Sequence, residues 1–291
     1  MSRHVLVTGG AGFIGSHLVD AYLERGWRVS VVDDLSTGDR ANLNPRAKFY
    51  QADIRDVPLD EIRPDVVNHH AAQMDIRRSV ADPVFDADVN VVGGVWLLQK
   101  AVELGVKRFI FASTGGAIYG EPLFAPQTEE HPANPLSPYG CAKLAVEHYM
   151  NYFRAVHRLR AVALRYANVY GPRQNSKGEA GVVAIFIDKK LRGETATING
   201  DGEQTRDFVY VGDVVAANLA VTDSSAPGPF NVGTGIETSV NELASLLGVK
   251  AVHGPSKTGE QRRSVLASKL GRTPLADGLR ETLEWFERRK T

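Results

Sequence analysis

The sequence holds little that would suit a secreted, membrane-bound or nucleic-acid-binding chain. Its one cysteine, Cys141, excludes an intrachain disulfide framework and points to a reducing compartment, the cytoplasm. Neither sign of charge is in excess. With 34 Lys and Arg against 34 Asp and Glu, capture of nucleic acid or of an anionic membrane surface is not expected. Long apolar runs are missing too, and none approaches the ~20 residues that cross a bilayer. The chain enters an apolar segment at His4, which leaves no room for a signal peptide ahead of it. No Cys, His and Asp cluster stands at metal-ligand spacing, so no metal is expected. Repeats, low-complexity tracts and charge blocks are absent as well.

What is present is an ordinary globular composition, 43% hydrophobic and 23% charged, long enough at 291 residues for one large domain or two coupled ones. Short apolar runs read as buried strands at His4–Thr8, Val29–Asp33, Phe49–Ala52, Asp65–Asn68, Arg108–Ala112 and Ala161–Arg165. Helical patterns fall between most of them. From Phe13 to about Arg25, Ile14, Leu18, Ala21 and Tyr22 recur at three- and four-residue spacing, and further helices are predicted over Asp86–Leu104 and Pro138–His157. Strands alternating with helices imply parallel βαβ units, hence an α/β fold with a doubly wound parallel sheet. The alternation loosens after Tyr166. Residues 1–166 and 206–235 are therefore expected to form the larger domain, and residues 167–205 and 236–291 a smaller α/β domain for substrate. An amphipathic helix from about Pro274 to Arg289 closes the chain.

Between the first strand and the first helix stand Gly9, Gly12 and Gly15, in the order G-x-x-G-x-x-G. The first glycine permits a tight turn, the second lets backbone approach a pyrophosphate, and the third lets helix pack closely on sheet. Amides at the helix start, those of Phe13 and Ile14 among them, face the negative charge. A glycine triplet alone is equally a flexible loop. Here Asp33 ends the next strand about twenty residues on, where a ribose-binding acid belongs in a Rossmann-type unit. A carboxylate there would repel a 2′-phosphate, and Asp34, Leu35, Ser36, Thr37 and Gly38 include no cation to neutralise one, Arg40 being the nearest. NAD is favoured over NADP.

Tyr139 and Lys143 lie four apart at the start of a predicted helix, on one face. A phenol, with an ordinary pKa of about 10, is a poor base near neutrality. A neighbouring ammonium favours the phenolate, so the pair can exchange a proton with a sugar hydroxyl. Such pairs also occur on surface helices. The dinucleotide motif ahead of this one, and Ser113-Thr114 at a strand end, mark it as reactive. Ser113 and Thr114 could hydrogen-bond the reacting oxygen or merely shape a turn. Cys141 fits as a small helical residue, and His69 and His70 fit core packing, because the reaction already has its base.

Together these residues resemble the extended short-chain dehydrogenase/reductase family, and within it the NAD-dependent sugar-nucleotide epimerases of the bacterial UDP-glucose (UDP-galactose) 4-epimerase type. The likeness runs through Thr8–Gly15, Ala71-Ala72-Gln73, Ser113–Gly120, Ser137–Lys143, Leu164–Arg173, Arg206–Val211 and Asn231–Gly235, nearly the whole chain. It implies NAD as a tightly held cofactor. Asp53 and Ile54 would contact its adenine side, Ala71, Ala72, Gln73, Asn90 and Tyr166 would line its channel, and Lys143 would hold the nicotinamide ribose. By the same resemblance Tyr139 transfers the proton and Thr114 assists at the sugar C4 oxygen. Asn168, Val182, Thr197, Asn199, Arg206 and Arg263 would grip the UDP-sugar, with Arg262 an alternative to Arg263. A homodimer through the helices near Asp86–Leu104 and Pro138–His157 is also implied.

The sequence departs from the family's common pattern in one place. The stretch Ser113–Tyr119 is one residue longer, which leaves Ser113 and Thr114 interchangeable. Gly115 and Gly116 stand where related 4,6-dehydratases carry Asp-Glu, so dehydration is disfavoured. Ser264 falls beside the sugar's C2 substituent by the resemblance, and so small a residue would admit N-acetylhexosamines. A UDP-glucuronate 4-epimerase or decarboxylase is the alternative enzyme. A non-catalytic NAD-binding sensor is the remote one, disfavoured because Tyr139 and Lys143 are both present.

Overall fold

The structure, a computed structural model, describes residues 2–176, 181–256, 261–268 and 270–290. The chain forms two units. The first comprises Met1–Ile118, Pro135–Arg165 and Val215–Phe230, the second Tyr119–Asn134, Tyr166–Val214 and Asn231–Thr291. The segment returning to the first unit is thus Val215–Phe230, where the sequence suggests 206–235. Pairing explains the difference: Phe208–Tyr210 lies parallel to Asn168–Tyr170, and Thr205–Arg206 lies between Thr238–Ser239 and Arg263–Ser264.

The first unit begins with β1 (His4–Thr8), α1 (Phe13–Glu24), β2 (Arg28–Asp33), β3 (Lys48–Gln51), a helical turn α2 (Leu59–Ile62) and β4 (Val66–His69). After them come α3 (Ile76–Ala81), α4 (Pro83–Ala87), a π-helical turn at Asp88–Val92, α5 (Gly93–Glu103), β5 (Arg108–Thr114), a turn α6 (Gly115–Ile118), α7 (Pro138–His157) and β6 (Ala161–Tyr166). The seven-stranded sheet runs in the order Phe230–Val232, β6, β5, β4, β1, β2, β3. β1 pairs in parallel with both β2 and β4, so the order reverses at β1. In such sheets ligands bind beyond the carboxyl ends of the strands at the reversal. Thr8, Asp33, His69, Thr114 and Tyr166 all end strands on that edge.

Strand interiors are apolar on both faces because helices cover both: Val5, Leu6, Val7, Val31, Val32, Phe109, Ile110 and Leu164 are buried. From α1, Leu18, Val19 and Tyr22 pack inward; Leu97, Leu98 and Ala101 do so from α5, and Val146, Met150 and Phe153 from α7. Each such Val, Leu, Met or Phe side chain contributes roughly 1.5–3 kcal/mol when fully buried.

The helix predicted over Asp86–Leu104 begins earlier and is interrupted. The Asp82 carboxylate accepts from the Phe85 amide at 3.0 Å and Pro83 occupies the first helical position, which starts α4 three residues ahead of Asp86. The π turn then breaks the regular ladder around Asn90. α7 runs as predicted, capped by the Ser137 hydroxyl accepting from the Gly140 amide at 3.1 Å, with Pro138 in its first turn.

The second unit has its own core, with Tyr170, Val183, Phe186, Ile187, Ile198, Leu243 and Leu247 buried. Among the described residues it carries three small sheets, including Ala196–Asn199 parallel to Ala251–Gly254.

Candidate active site

The turn after β1 is built by backbone crowding. Gly9 takes φ +69°, and a Cβ there would fall 2.6 Å from the Ala71 amide nitrogen. A Cβ on Gly15 would fall 2.1 Å from the Gly9 carbonyl oxygen, so α1 sits directly on the turn. Gly12 caps α1 without a side chain and no acid occupies the first turn, which leaves the amides there for an anion. Asp33 is buried. Its Oδ2 accepts from the Ala11 amide at 3.0 Å and its Oδ1 from the Leu35 amide at 2.9 Å. Burial pushes its carboxyl above the ordinary value, and the two amides oppose that. Each oxygen keeps lone-pair capacity for a ribose hydroxyl. Gly38 closes over Asp33, and the Asp34 carboxylate accepts from both the amide and the hydroxyl of Ser36, folding the loop that ends with Thr37 and Gly38. The nearest cation, Arg40, is turned to Gln51, donating at 2.6 Å.

Asp53 is engaged by a neighbour. Its carboxylate accepts from the Arg55 amide, Nε and Nη2 at 2.9, 2.8 and 2.6 Å, and these bonds hold its pKa below the ordinary carboxylate value. Arg55 also pairs with Asp88, tying this loop to the π turn. Ile54 is buried. At the other end, the loop after β4 is pinned by Thr8, whose hydroxyl accepts from the His70 and Ala71 amides at 3.1 and 3.2 Å. Ala72 and Gln73 follow. Gln73 and Asn90 bond reciprocally: the Gln73 amide donates to Asn90 Oδ1 at 3.0 Å, and Asn90 Nδ2 donates to the Gln73 carbonyl at 2.9 Å. The π turn is what turns Asn90 onto this loop.

On α7, Tyr139 is half-buried and Lys143 is buried. Lys143 Nζ donates to the Ala112 carbonyl at 3.0 Å and lies 4.7 Å from the Phe111 ring centre and 5.7 Å from that of Tyr139. Burial pushes the Lys143 ammonium down to about 8, with Asp86 opposing. Burial, and secondarily the Asp86 charge, pushes the Tyr139 phenol up. Ser113 and Thr114 separate clearly. The Ser113 hydroxyl donates to Glu147 Oε1 at 2.6 Å, and Glu147 in turn takes Arg165 Nη2 at 2.6 Å and Nε at 3.0 Å, all buried. Among the described residues the Thr114 hydroxyl, half-buried at the end of β5, has no partner. His69 packs beside Phe109 and Phe111 and bonds the Thr8 hydroxyl at 2.7 Å. Burial keeps both imidazoles neutral, His70 falling to about 3.

The second unit carries the other predicted residues. Thr197 and Asn199 stand two apart on Ala196–Asn199, on one face of the strand. Val182 opens the helix Val182–Arg192, and Asn168 is exposed at the start of its strand. Arg206 lies on the middle strand of its sheet, opposite Thr238 on one side and Ser264 on the other. Arg262 makes a forked pair with Asp201 at 2.7 and 2.9 Å, while Arg263 pairs with Glu237. Both arginines are exposed, and exposed pairs of this kind contribute only about 0–1 kcal/mol, so either guanidinium is available at little cost.

Residues 5–233 match the model of the NAD dependent epimerase/dehydratase family. The chain belongs to that family. The UDP-glucose 4-epimerase of Mycolicibacterium smegmatis is 45% identical over 305 residues, covering 97% of this chain and 97% of that one. A crystal structure of UDP-glucose 4-epimerase with UDP-glucose from Thermotoga maritima superposes with a TM-score of 0.97 at 46% identity, covering 99% of this chain and 100% of that chain. The Thermus thermophilus UDP-glucose 4-epimerase, in complex with NAD, gives a TM-score of 0.93 at 42% identity, over 98% and 99% of the two chains.

The cradle fits the cofactor of this NAD-dependent family. The clash that any Cβ at Gly9 or Gly15 would meet, the uncapped start of α1 and the buried Asp33 carboxylate match a pyrophosphate and a ribose diol in turn. Sequence reasoning missed Glu147 and Asp86. Tyr139, Lys143 and Glu147 follow at four-residue steps along one face of α7, and Asp86 precedes Asn90 by four. That spacing was the available signal.

Proposed function

We propose that this chain is an NAD-dependent UDP-hexose 4-epimerase, interconverting UDP-glucose and UDP-galactose through a transient 4-keto sugar. The observation that carries the proposal is the constellation at one strand edge: Tyr139 with Lys143 on α7 and the unpartnered Thr114 hydroxyl at the end of β5, beside the dinucleotide cradle. NAD, when bound, supplies the hydride acceptor and donor at C4. Gly9, Gly12, Phe13, Ile14 and Gly15 would hold its pyrophosphate and Asp33 its adenosine ribose, with Asp34–Gly38, Asp53 and Ile54 around the adenine side. Ala71, Ala72, Gln73, Asn90, Ser113 and Tyr166 would shape the nicotinamide end. Tyr139 takes the C4 hydroxyl proton as the 4-keto sugar forms and returns it after the sugar has turned over. Lys143 stabilises the phenolate by its positive charge. Thr114 is free to bond the C4 oxygen, whereas Ser113 holds β5 to α7 through Glu147.

In the second unit, Asn168, Val182, Thr197, Asn199 and Arg206 bind the nucleotide diphosphate, with Arg263 released from Glu237 to pair with phosphate in forked geometry. The first unit serves as the NAD domain and the second as the nucleotide-sugar domain. Ser264, small and buried opposite Arg206, supports acceptance of N-acetylhexosamines. Gly115 and Gly116 supply no acid or base, which argues against dehydration. Val80, Val84, Val92, Tyr149, Tyr152 and Val156, all exposed on the helical side of the first unit, support a homodimer. The lone cysteine fits a cytoplasmic enzyme. Among the described residues no helix is long and apolar enough to cross a membrane.

The test is incubation of the purified protein with UDP-glucose, UDP-N-acetylglucosamine and UDP-glucuronate separately, without added NAD, followed by separation of the nucleotide sugars. UDP-galactose from UDP-glucose is the expected product. Turnover of UDP-glucuronate alone would transfer the assignment to the uronate reaction, and three intact substrates, with NAD added back, would reject the epimerase.

A further inference from the structure

One buried charge in the first unit is used by none of the steps above. Asp86, on α4, is 1% exposed. Its Oδ1 accepts from Gln73 Nε2 at 3.0 Å, and its Oδ2 is buried with no hydrogen-bond partner. A buried, half-satisfied carboxylate is costly unless a cation lies near it. α4 packs on α7, the helix that carries Lys143 and Tyr139. Gln73 ties Asp86 to the loop after β4, donating from the same nitrogen to the Asp75 carbonyl at 2.9 Å and bonding Asn90 through its backbone.

We propose that Asp86 is a positioning residue for the Tyr139–Lys143 pair, its buried carboxylate fixing the charge of that pair and so the pH window in which protons are exchanged. The inference rests on the epimerase function proposed above. Its physical content is simple. A negative charge close to both groups favours the ammonium and disfavours the phenolate, so Asp86 raises the proton affinity of each. From α7 the groups that face it are Tyr139 and Lys143; Glu147, further along, is occupied by Ser113 and Arg165. From the β4 end come His69 and His70, both neutral. The charged residue of the π turn, Asp88, is bound to Arg55, and on α3 Arg77 and Arg78 are exposed, Arg78 stacking over Phe85. Lys143 is therefore the cation through which Asp86 acts.

Asp86→Asn keeps the shape and an oxygen for Gln73 but removes the charge. In the protein as purified, both limbs of the pH profile of kcat are expected to move to lower pH by about one unit. Asp86→Ser should do the same, and Asp86→Glu should return the profile toward that of the unaltered protein. A fall in rate with both limbs unmoved in the neutral variants would overturn the proposal and leave Asp86 a packing residue. If the unaltered protein does not epimerise UDP-glucose, the proposed function fails, and a second readout decides on Asp86. The ultraviolet absorbance of the Tyr139 phenolate, taken as the difference from Tyr139→Phe in each background, should then appear at lower pH without the Asp86 charge. Appearance at the same or a higher pH would refute the inference.

Discussion

Removing the Glu147 carboxylate should cost far more than removing any surface charge in this chain. Glu147 sits inside the first unit with Arg165, each side chain 8% exposed. It receives Arg165 Nη2 at 2.6 Å, Arg165 Nε at 3.0 Å and the Ser113 hydroxyl at 2.6 Å. In Glu147→Ala the guanidinium stays buried without that carboxylate, and breaking such a pair from one side costs roughly 3–5 kcal/mol. The Ser113 bond adds about 1 kcal/mol. Replacing both members, in Glu147→Leu with Arg165→Met, removes the stranded charge and should recover most of that loss, because well-packed apolar residues often match a buried pair. Urea denaturation of the single and double variants measures the difference through the midpoint and slope. The same comparison has a catalytic side, because Glu147 fixes β5 to α7 through Ser113, and Lys143 and Tyr139 lie one and two turns before it. Epimerisation should fall in Glu147→Ala even where the protein remains folded. A single variant that loses less than about 1 kcal/mol, or a double variant no more stable than the single, would refute the account of this triad.

Tyr139→Phe should lower the epimerisation rate by about 10²–10⁴-fold while leaving bound NAD, measured after heat release, unchanged. Gly15→Val sets a side chain against the Gly9 carbonyl, so the purified variant should carry no NAD; retained cofactor would contradict the packing described. Burial places the Lys143 ammonium at about 8. Its charge is present below that value and lost above it, so activity should decline as pH rises past about 8, and a rate flat to about pH 10 would count against its role. Ser264→Tyr should suppress turnover of UDP-N-acetylglucosamine with little effect on UDP-glucose, read as a change in the ratio of the two kcat/KM values.

The parts of this architecture with local causes were legible in the sequence. The strand, glycine turn and helix from His4 to Glu24, the acid at Asp33 and the Ser137-Pro138 start of α7 each follow from chemistry within a few residues. The π turn was not legible, because its apolar pattern also suits an unbroken helix over Asp86–Leu104; it lies in the backbone hydrogen bonding, not in residue type. Nor could adjacent residues of like chemistry be separated. Ser113 is distinguished from Thr114 by Glu147, 34 positions away, and Arg262 from Arg263 by Asp201 and Glu237. Where a choice depends on a partner distant in the chain, spacing alone carries no information about it. The division of the compact units at Val215 has the same cause, since pairing of Thr205–Arg206 with Thr238–Ser239 joins residues distant in the chain.

An epimerase of this kind passes one hydride out of and back into the same carbon of a UDP-hexose. UDP-glucose deuterated at C4, incubated with the purified protein without added NAD, tests it most directly. UDP-galactose that keeps the deuterium at C4 is the expected product. Unchanged UDP-glucose, or UDP-galactose that has lost the label to solvent, would contradict it.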